Sequence, residues 1–369
     1  VSAQVSAMDA LAFPHVLSAT RLHFPATESR IPEATEQHLR TYVASVQRLG
    51  TRAAIAVKSH ADEVRHVCHE VAPDFEVSVL HVPNWGHFVP ALNALLSHAV
   101  DLKVEFLLYQ SLEVQCTTGV LRLLLEHSNQ RSLAVGPELN GHTFQAGEQV
   151  LNGRTTPWNT LALWKVRMLA RTGFLNIAEG LPDHNEQVSA SPTLRKSMSR
   201  TITVTEANPH SHPVPAGVEE VTAIALLQHL RGPERARAVL LRLPPELRGD
   251  MSWQADWGDD EGRRQWHEQK MQSKVSRPRA QLKSLFRGST MHLPEVAEEE
   301  PEAQVDEPDD ASPHAEHQEL FGTVLHVDCG ASQAPEAEGA TDVVGLTKAK
   351  INQAAFCGDY KAVESLLAK

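Results

Sequence analysis

Short apolar runs take turns with longer stretches of helical spacing through the first two thirds of the chain. His15–Ser18, Arg52–Val57, Phe75–Val82, Phe106–Tyr109 and Ser132–Val135 have strand length and are apolar or alternating. Between them, Glu33–Leu49, Ala61–Val71, Pro90–Val100 and Gly119–His127 read as helices. Gly50 stops the first, Leu92, Leu95 and Leu96 line the inner side of the third, and Thr117 or Thr118 caps the last. This alternation predicts an α/β fold, a doubly wound and mainly parallel sheet with helices on both faces.

Beyond Val135 the pattern loosens. Residues 141–156 are glycine-rich and polar and read as a loop over the carboxyl edge of the sheet. Pro157-Trp158-Asn159-Thr160 opens an expected helix to about Arg171, closed by Thr172-Gly173-Phe174. A Pro-, Ser- and His-rich insertion follows from Ala178 to Ala216, long enough for a lid or a disordered segment. His210 and His212 within it have a spacing that could bind metal, but they lie between prolines and read as loop. Gly217-Val218-Glu219-Glu220 then starts a helix to Leu230, with Val221, Ile224, Leu227 and Leu230 at helical spacing.

One run organises the rest. Phe106 to Tyr109 is apolar at four consecutive positions, as in a strand covered on both faces, and it ends abruptly at Gln110, Ser111 and Glu113. Ligands in open α/β sheets bind just beyond the carboxyl ends of such strands. These three polar residues are therefore expected at the mouth of a crevice.

Composition divides the chain further. The formal net charge is -12, yet residues 294–340 hold many Asp and Glu and no Lys or Arg, so the remainder is close to neutral and no nucleic-acid surface is indicated. Upstream of that segment, Arg263, Arg264, Lys270, Lys274, Arg277, Arg279, Lys283 and Arg287 form a basic block, with Trp253, Trp257 and Trp266 towards its start, whose charges are interleaved with polar residues, which argues against an RNA-stacking surface. The expected organisation is an α/β domain over residues 10–245, a charged and largely disordered linker over 246–345, and a helical hairpin over 346–369. In the hairpin, Ala354-Ala355, Gly358 and Val363-Glu364-Ser365-Leu366-Leu367 resemble the helix pair of an ankyrin repeat, which implies a protein partner. Cys68, Cys116, Cys329 and Cys357 show neither metal spacing nor a disulfide framework. No run approaches the roughly 18 apolar residues of a membrane span, and no Asn-x-Ser/Thr sequon occurs. A cytoplasmic location is the expectation; the chain begins at Val1, so a preceding segment stays open.

Four pieces in order carry a family resemblance. Ala91-Leu92-Asn93-Ala94-Leu95, the strand ending in Ser111-Leu112-Glu113, Asn159-Thr160-Leu161-Ala162-Leu163-Trp164 running to Gly173-Phe174, and Gly217-Val218-Glu219-Glu220 resemble the family-2-like glycosyltransferases of GT-A fold. The resemblance implies transfer of a sugar from a nucleotide-diphosphate sugar to an unknown acceptor. It also implies a Mn2+ or Mg2+ ion held by an Asp-x-Asp at the end of the central strand, against the charge of the leaving diphosphate. Here Ser111 stands at the first of those Asp positions and Glu113 keeps the sole carboxylate, as the expected metal ligand. Glu220, with Glu219 beside it, falls where an inverting transferase keeps its general base, and the helix macrodipole is expected to hold it ionised. Asn93, Gln110, Ser111, Trp158 and Asn159 are the expected nucleotide-sugar contacts. Core packing is the expected role of Trp164. The departure at Ser111 keeps a second reading open, a catalytically inactive GT-A-like domain used for binding or scaffolding.

Overall fold

The computed structural model describes residues 12–24, 29–179, 218–248, 273–283, 285–286 and 321–330. In chain order the elements are β1 (Phe13–Leu22), α1 (Glu33–Leu49), β2 (Thr51–Val57), α2 (Ala61–Val71), β3 (Val77–His81), α3 (Val89–Asp101), β4 (Phe106–Gln110), α4 (Thr118–Glu126), β5 (Ser132–Pro137), β6 (Gly147–Val150), β7 (Leu161–Lys165), α5 (Val166–Leu169), α6 (Glu219–Arg231), β8 (Arg237–Arg242), α7 (Pro245–Arg248) and β9 (Thr323–Asp328). Residues 273–283 are also helical.

The strands form one sheet in the order β3-β2-β1-β4-β7-β5-β8-β9-β6. Pairing is parallel among β3, β2, β1 and β4 and among β5, β8 and β9; β7 and β6 run antiparallel to their neighbours. The mainly parallel α/β sheet expected from the alternating pattern is therefore present.

Side-chain alternation sends successive residues of each strand to opposite faces. Leu17 and Ala19 of β1 and Leu107 and Tyr109 of β4 pack with Leu92 and Leu95 of α3 and with Val221, Ile224 and Leu227 of α6. Val16, Phe106 and Leu108 point the other way, onto Val120, Leu121 and Leu124 of α4. Further along that second face, Ile55 of β2 meets Leu39, Val43 and Val46 of α1 and Val64 and Val67 of α2. Gly50 ends α1 at φ 66°, where a side chain would be strained and a Cβ would meet the Ala12 backbone. Thr117, rather than Thr118, caps α4 by accepting from Val120 N.

The chain leaves β1 outward to β2 and β3 and then returns to β4 on β1's other side. This reversal opens a crevice at the carboxyl ends of β1 and β4.

Several local expectations are corrected. The run after Thr160 is the strand β7, not a helix to Arg171, and only Val166–Leu169 turns helical. Leu161 to Lys165 is buried at all five positions between β4 and β5, so tertiary pairing decides a run whose periodicity fits either element. Trp164 is accordingly a strand residue, fully buried in the core. The expected loop at 141–156 contains β6. The sequence reading passed over β8, a buried parallel strand. Within the stretch read as charged linker, Thr323–Asp328 enters the sheet between β8 and β6, burying Val324 and His326. The hairpin at 346–369, and with it the ankyrin-like motif, lies outside the described residues, as do His210, His212 and Gly217.

Candidate functional site

At the switch point lies a cleft of about 330 Å³. The end of β1 contributes Thr20, Arg21, Leu22 and His23; the end of β4 and its following turn contribute Gln110, Ser111, Leu112 and Glu113; Asn159 and Thr160 come from the turn before β7. Leu92 of α3 and Tyr109 also line it, and Tyr109 Oη donates to Leu92 O at 2.8 Å, tying helix to strand. Ser111 N donates to Thr160 O at 2.9 Å, which fixes the two turns against each other. Of the residues expected at the site, Gln110, Ser111, Glu113 and Asn159 meet here.

Asn159 connects the cleft to the two acids. Its backbone N–H donates to Glu220 Oε1, its side-chain Nδ2 donates to Glu219 Oε1 at 3.2 Å, and its Oδ1 accepts from Trp164 Nε1 at 2.9 Å. Its carbonyl side is thus held by the core indole and its amide side serves the acids. Glu219 and Glu220 begin α6 and are both buried. The residue before them, Val218, caps the helix in the left-handed region at φ 63° and ψ 50°. For a β-branched residue that conformation costs on the order of 1–3 kcal/mol, strain of the kind that gathers at functional sites.

Burial pushes the Glu220 carboxyl up to about 8, and the neighbouring Glu219 charge adds to the effect. The expectation that the helix dipole keeps Glu220 ionised at neutral pH is corrected: desolvation of a carboxylate outweighs a dipole effect of at most ~2 kcal/mol. Glu219 faces the cleft's lining more directly, since Arg21 Nη2 lies 3.8 Å from its Oε1 and Asn159 donates to the same atom.

Two buried polar atoms of the cleft residues have no hydrogen-bond partner among the described residues. One is Arg21 Nη1 and the other Gln110 Oε1. Gln110 is held in place by donating from Nε2 to Val114 O at 2.7 Å. The Arg21 guanidinium rests over the Phe88 ring, 5.2 Å from its centroid. Sequence reasoning passed over Arg21; the available signal was a cation closing a strand beside the one that ends in Ser111.

Asn93 and Trp158 are not brought to the cleft. Asn93 clamps the Phe174 backbone, accepting from its N–H at 2.9 Å and donating to its carbonyl at 3.0 Å. Gly173 stands beside this clamp at φ 63°, where a Cβ would lie 2.9 Å from Asn93 Oδ1. Trp158 is buried, stacked on His142 at 3.8 Å, with its Nε1 donating to Gly153 O and Lys274 Nζ against its other neighbourhood at 3.1 Å from the ring centroid. Neither side chain is presented to a sugar.

Magnesium and manganese prefer several hard oxygen ligands, with near-octahedral geometry for magnesium. Glu113 supplies one carboxylate beside the Ser111 hydroxyl, and among the described residues no group of three or more His, Cys, Asp or Glu could hold a metal ion. This donor set does not fit a tightly held divalent cation. No helix among the described residues is long and apolar enough to cross a membrane.

No family model and no curated protein matches the chain. Among solved structures it is similar to the mannosyltransferase PcManGT from Pyrobaculum calidifontis in complex with GDP-Man and Mn2+, with 13% identity, 74% of this chain and 88% of that one covered, and a TM-score of 0.32. It is also similar to S. aureus TarS, with 11% identity, 58% and 40% covered, and a TM-score of 0.33. A cytidylyltransferase from Leptospira borgpetersenii serovar Hardjo-bovis matches with 10% identity, 50% and 71% covered, and a TM-score of 0.27. At these scores the likenesses carry no weight as to ligand, and the functional reading rests on the cleft.

Proposed function

We propose that the chain is a GT-A-like protein that binds a nucleotide-diphosphate sugar in the cleft between β1 and β4 and transfers the sugar to an acceptor. The observation that carries this reading is the pair of unpartnered buried atoms, Arg21 Nη1 and Gln110 Oε1, at the carboxyl ends of adjacent parallel strands. A buried cationic donor and a buried acceptor are costly to leave unmade, and a ligand with anionic oxygens and hydroxyl groups satisfies both.

In this reading Glu219 is the general base. It lies against Arg21 and Asn159, whereas burial raises the Glu220 carboxyl to about 8 and so favours its protonated form, which makes it the poorer base. Glu220 instead positions Asn159 by accepting from its backbone. The transfer forms a bond from the acceptor oxygen to the anomeric carbon, breaks the bond from that carbon to the diphosphate, and moves the acceptor's proton to Glu219.

The test follows release of nucleoside diphosphate from UDP-glucose and GDP-mannose in the presence of mixed sugar and peptide acceptors. Wild type is expected to release it from at least one donor. Glu219→Gln should lower the rate roughly 100-fold or more while nucleotide affinity stays within about threefold. A second reading, a binding domain without turnover, is favoured by Ser111 at the metal position and by the protonated Glu220. Tight nucleotide binding with no release from any donor would select it.

A further inference from the structure

Resting on the reading of the cleft as a diphosphate site, we propose that Arg21 receives the diphosphate in place of a divalent cation. The pairing of Ala19 with Tyr109 sets β1 and β4 side by side, so two residues further on Arg21 stands beside Ser111. Among the described cleft residues Arg21 is the one permanent cation, and Glu113 the one carboxylate.

Three observations on the guanidinium point to an anion. Nη1 is buried and unpartnered. Nη2 stands 3.8 Å from Glu219 Oε1, beyond the 2.7–3.2 Å of a hydrogen bond, so the pair is electrostatic and leaves donors unused. The planar group is held over Phe88, which fixes its orientation before a ligand arrives. A guanidinium presents a fork of N–H donors that matches two phosphate oxygens at once.

The backbone N–H groups at the start of α3, a second anion receiver at this edge of the sheet, are already engaged. The backbone N–H groups of His87, Phe88 and Val89, at the start of α3, donate to Glu179 Oε1 at 3.0, 2.8 and 2.7 Å. Among the described residues lining the cleft, Arg21 is the permanently charged group placed to neutralise a diphosphate. Gln110 Oε1, held from behind by Val114 O, accepts from a hydroxyl of the same ligand.

Binding also changes Glu219. In the free protein Arg21 is its counterion; with a diphosphate present the guanidinium charge is shared with the ligand. Arg21 therefore couples donor binding to the freeing of the base.

The experiment is calorimetry of the full chain with UDP, GDP and inorganic pyrophosphate, each in EDTA and in Mn2+. At least one nucleotide should bind equally in both, within about twofold, and Glu113→Ala should leave that independence of Mn2+ in place. Arg21→Gln should weaken binding about tenfold or more, and Arg21→Lys should recover part of it through charge without the fork. Because Arg21→Gln leaves Glu219 without its counterion, the double variant Arg21→Gln/Glu219→Gln serves as the folded control and should bind as weakly. Binding that strengthens more than about tenfold with Mn2+ and loses that gain in Glu113→Ala overturns the inference while keeping the nucleotide reading. Undiminished binding in both Arg21→Gln proteins does the same. Failure of every probe to bind wild type under either condition removes the nucleotide reading itself.

Discussion

On β9 the buried His326 imidazole, and in the segment before β6 the half-buried His142 imidazole, have both ring nitrogens bonded, whereas at the ends of β1 and β4 Arg21 Nη1 and Gln110 Oε1 are buried without partners among the described residues. His142 Nδ1 accepts from Leu139 N at 2.8 Å and Nε2 donates to Thr156 O at 2.9 Å. His326 Nδ1 accepts from Gln145 N at 3.2 Å and Nε2 donates to Thr155 O at 2.9 Å. Each ring is therefore a neutral tautomer that pins the 139–156 segment to the sheet. Unpartnered atoms occur elsewhere too, such as Tyr42 Oη and Thr156 Oγ1, but these do not line the cleft. The contrast sets two imidazoles satisfied within the protein beside two cleft atoms that, in the proposed reading, await a ligand.

The largest expected effect tests the joint between core and cleft. Trp164→Ala removes a fully buried indole and the bond that holds Asn159, and should cost about 3–5 kcal/mol in chemical denaturation. Trp164→Phe should retain most of that stability while weakening ligand affinity, because only the Asn159 bond is lost. Equal loss of stability in both variants would contradict the assigned role of the bond.

The two regions also have opposite responses to pH. Burial lowers His142 from 6.5 to about 3 and lowers His326 as well. An unfolded histidine binds the proton that the folded one refuses, so this stabilisation is present above pH 6.5 and is lost as pH falls toward 3. Glu220 runs the other way: its folded value is raised from 4.5 to about 8, so its contribution is present below 4.5 and is lost as pH rises to 8. Between 4.5 and 6.5 the Glu220 slope opposes those of His142 and His326, so stability should rise with pH less steeply there than the histidines alone would make it. Thermal melting from pH 4 to 9 checks this. Glu220→Gln should remove the decline above pH 6.5, a slope of about 1.4 kcal/mol per unit, and His142→Gln should flatten the acid limb. An unchanged alkaline limb in Glu220→Gln would assign the decline to other groups.

Ser111→Asp has a smaller effect on stability, within about 0.5 kcal/mol at a strand end. Its use is in binding: a second carboxylate near Glu113 should introduce Mn2+ dependence into nucleotide affinity. If Ser111→Asp gains none, the turn after β4 lacks metal geometry whatever its charge. The smallest change is expected from Arg242→Met. Arg242 makes two bonds to Glu138, at 2.7 and 3.0 Å, and lies over Phe144 at the histidine region's rim. A pair this exposed contributes no more than about 1 kcal/mol to chemical denaturation.

How much could be read from the sequence differed along the chain, for physical reasons. α1 to α4 and β1 to β5 were legible because each is a helical period or a short apolar run bounded by turn or polar residues, such as Gly50, Thr117 or Gly136-Pro137. β7 was not, since five consecutive buried residues have no period and the neighbours β4 and β5 decide the conformation. β9 was hidden by its acidic surroundings, although Val324 and His326 alternate as a half-buried strand should. At the site, Gln110, Ser111, Glu113 and Asn159 were legible from their place after apolar runs. Asn93 and Trp158 were not assignable that way, because the Phe174 backbone and His142, which engage them, are far away in sequence. Arg21 becomes a candidate only in three dimensions, through a buried nitrogen that no described residue satisfies.

A crystal structure of the chain with a bound nucleoside diphosphate, grown in EDTA, tests the central claim most directly. The account predicts diphosphate oxygens on the Arg21 guanidinium and a ligand hydroxyl on Gln110 Oε1, in the cleft between the ends of β1 and β4. Ligand density at another surface, or in this cleft with Arg21 still turned to Glu219 and Nη1 unpaired, would contradict it.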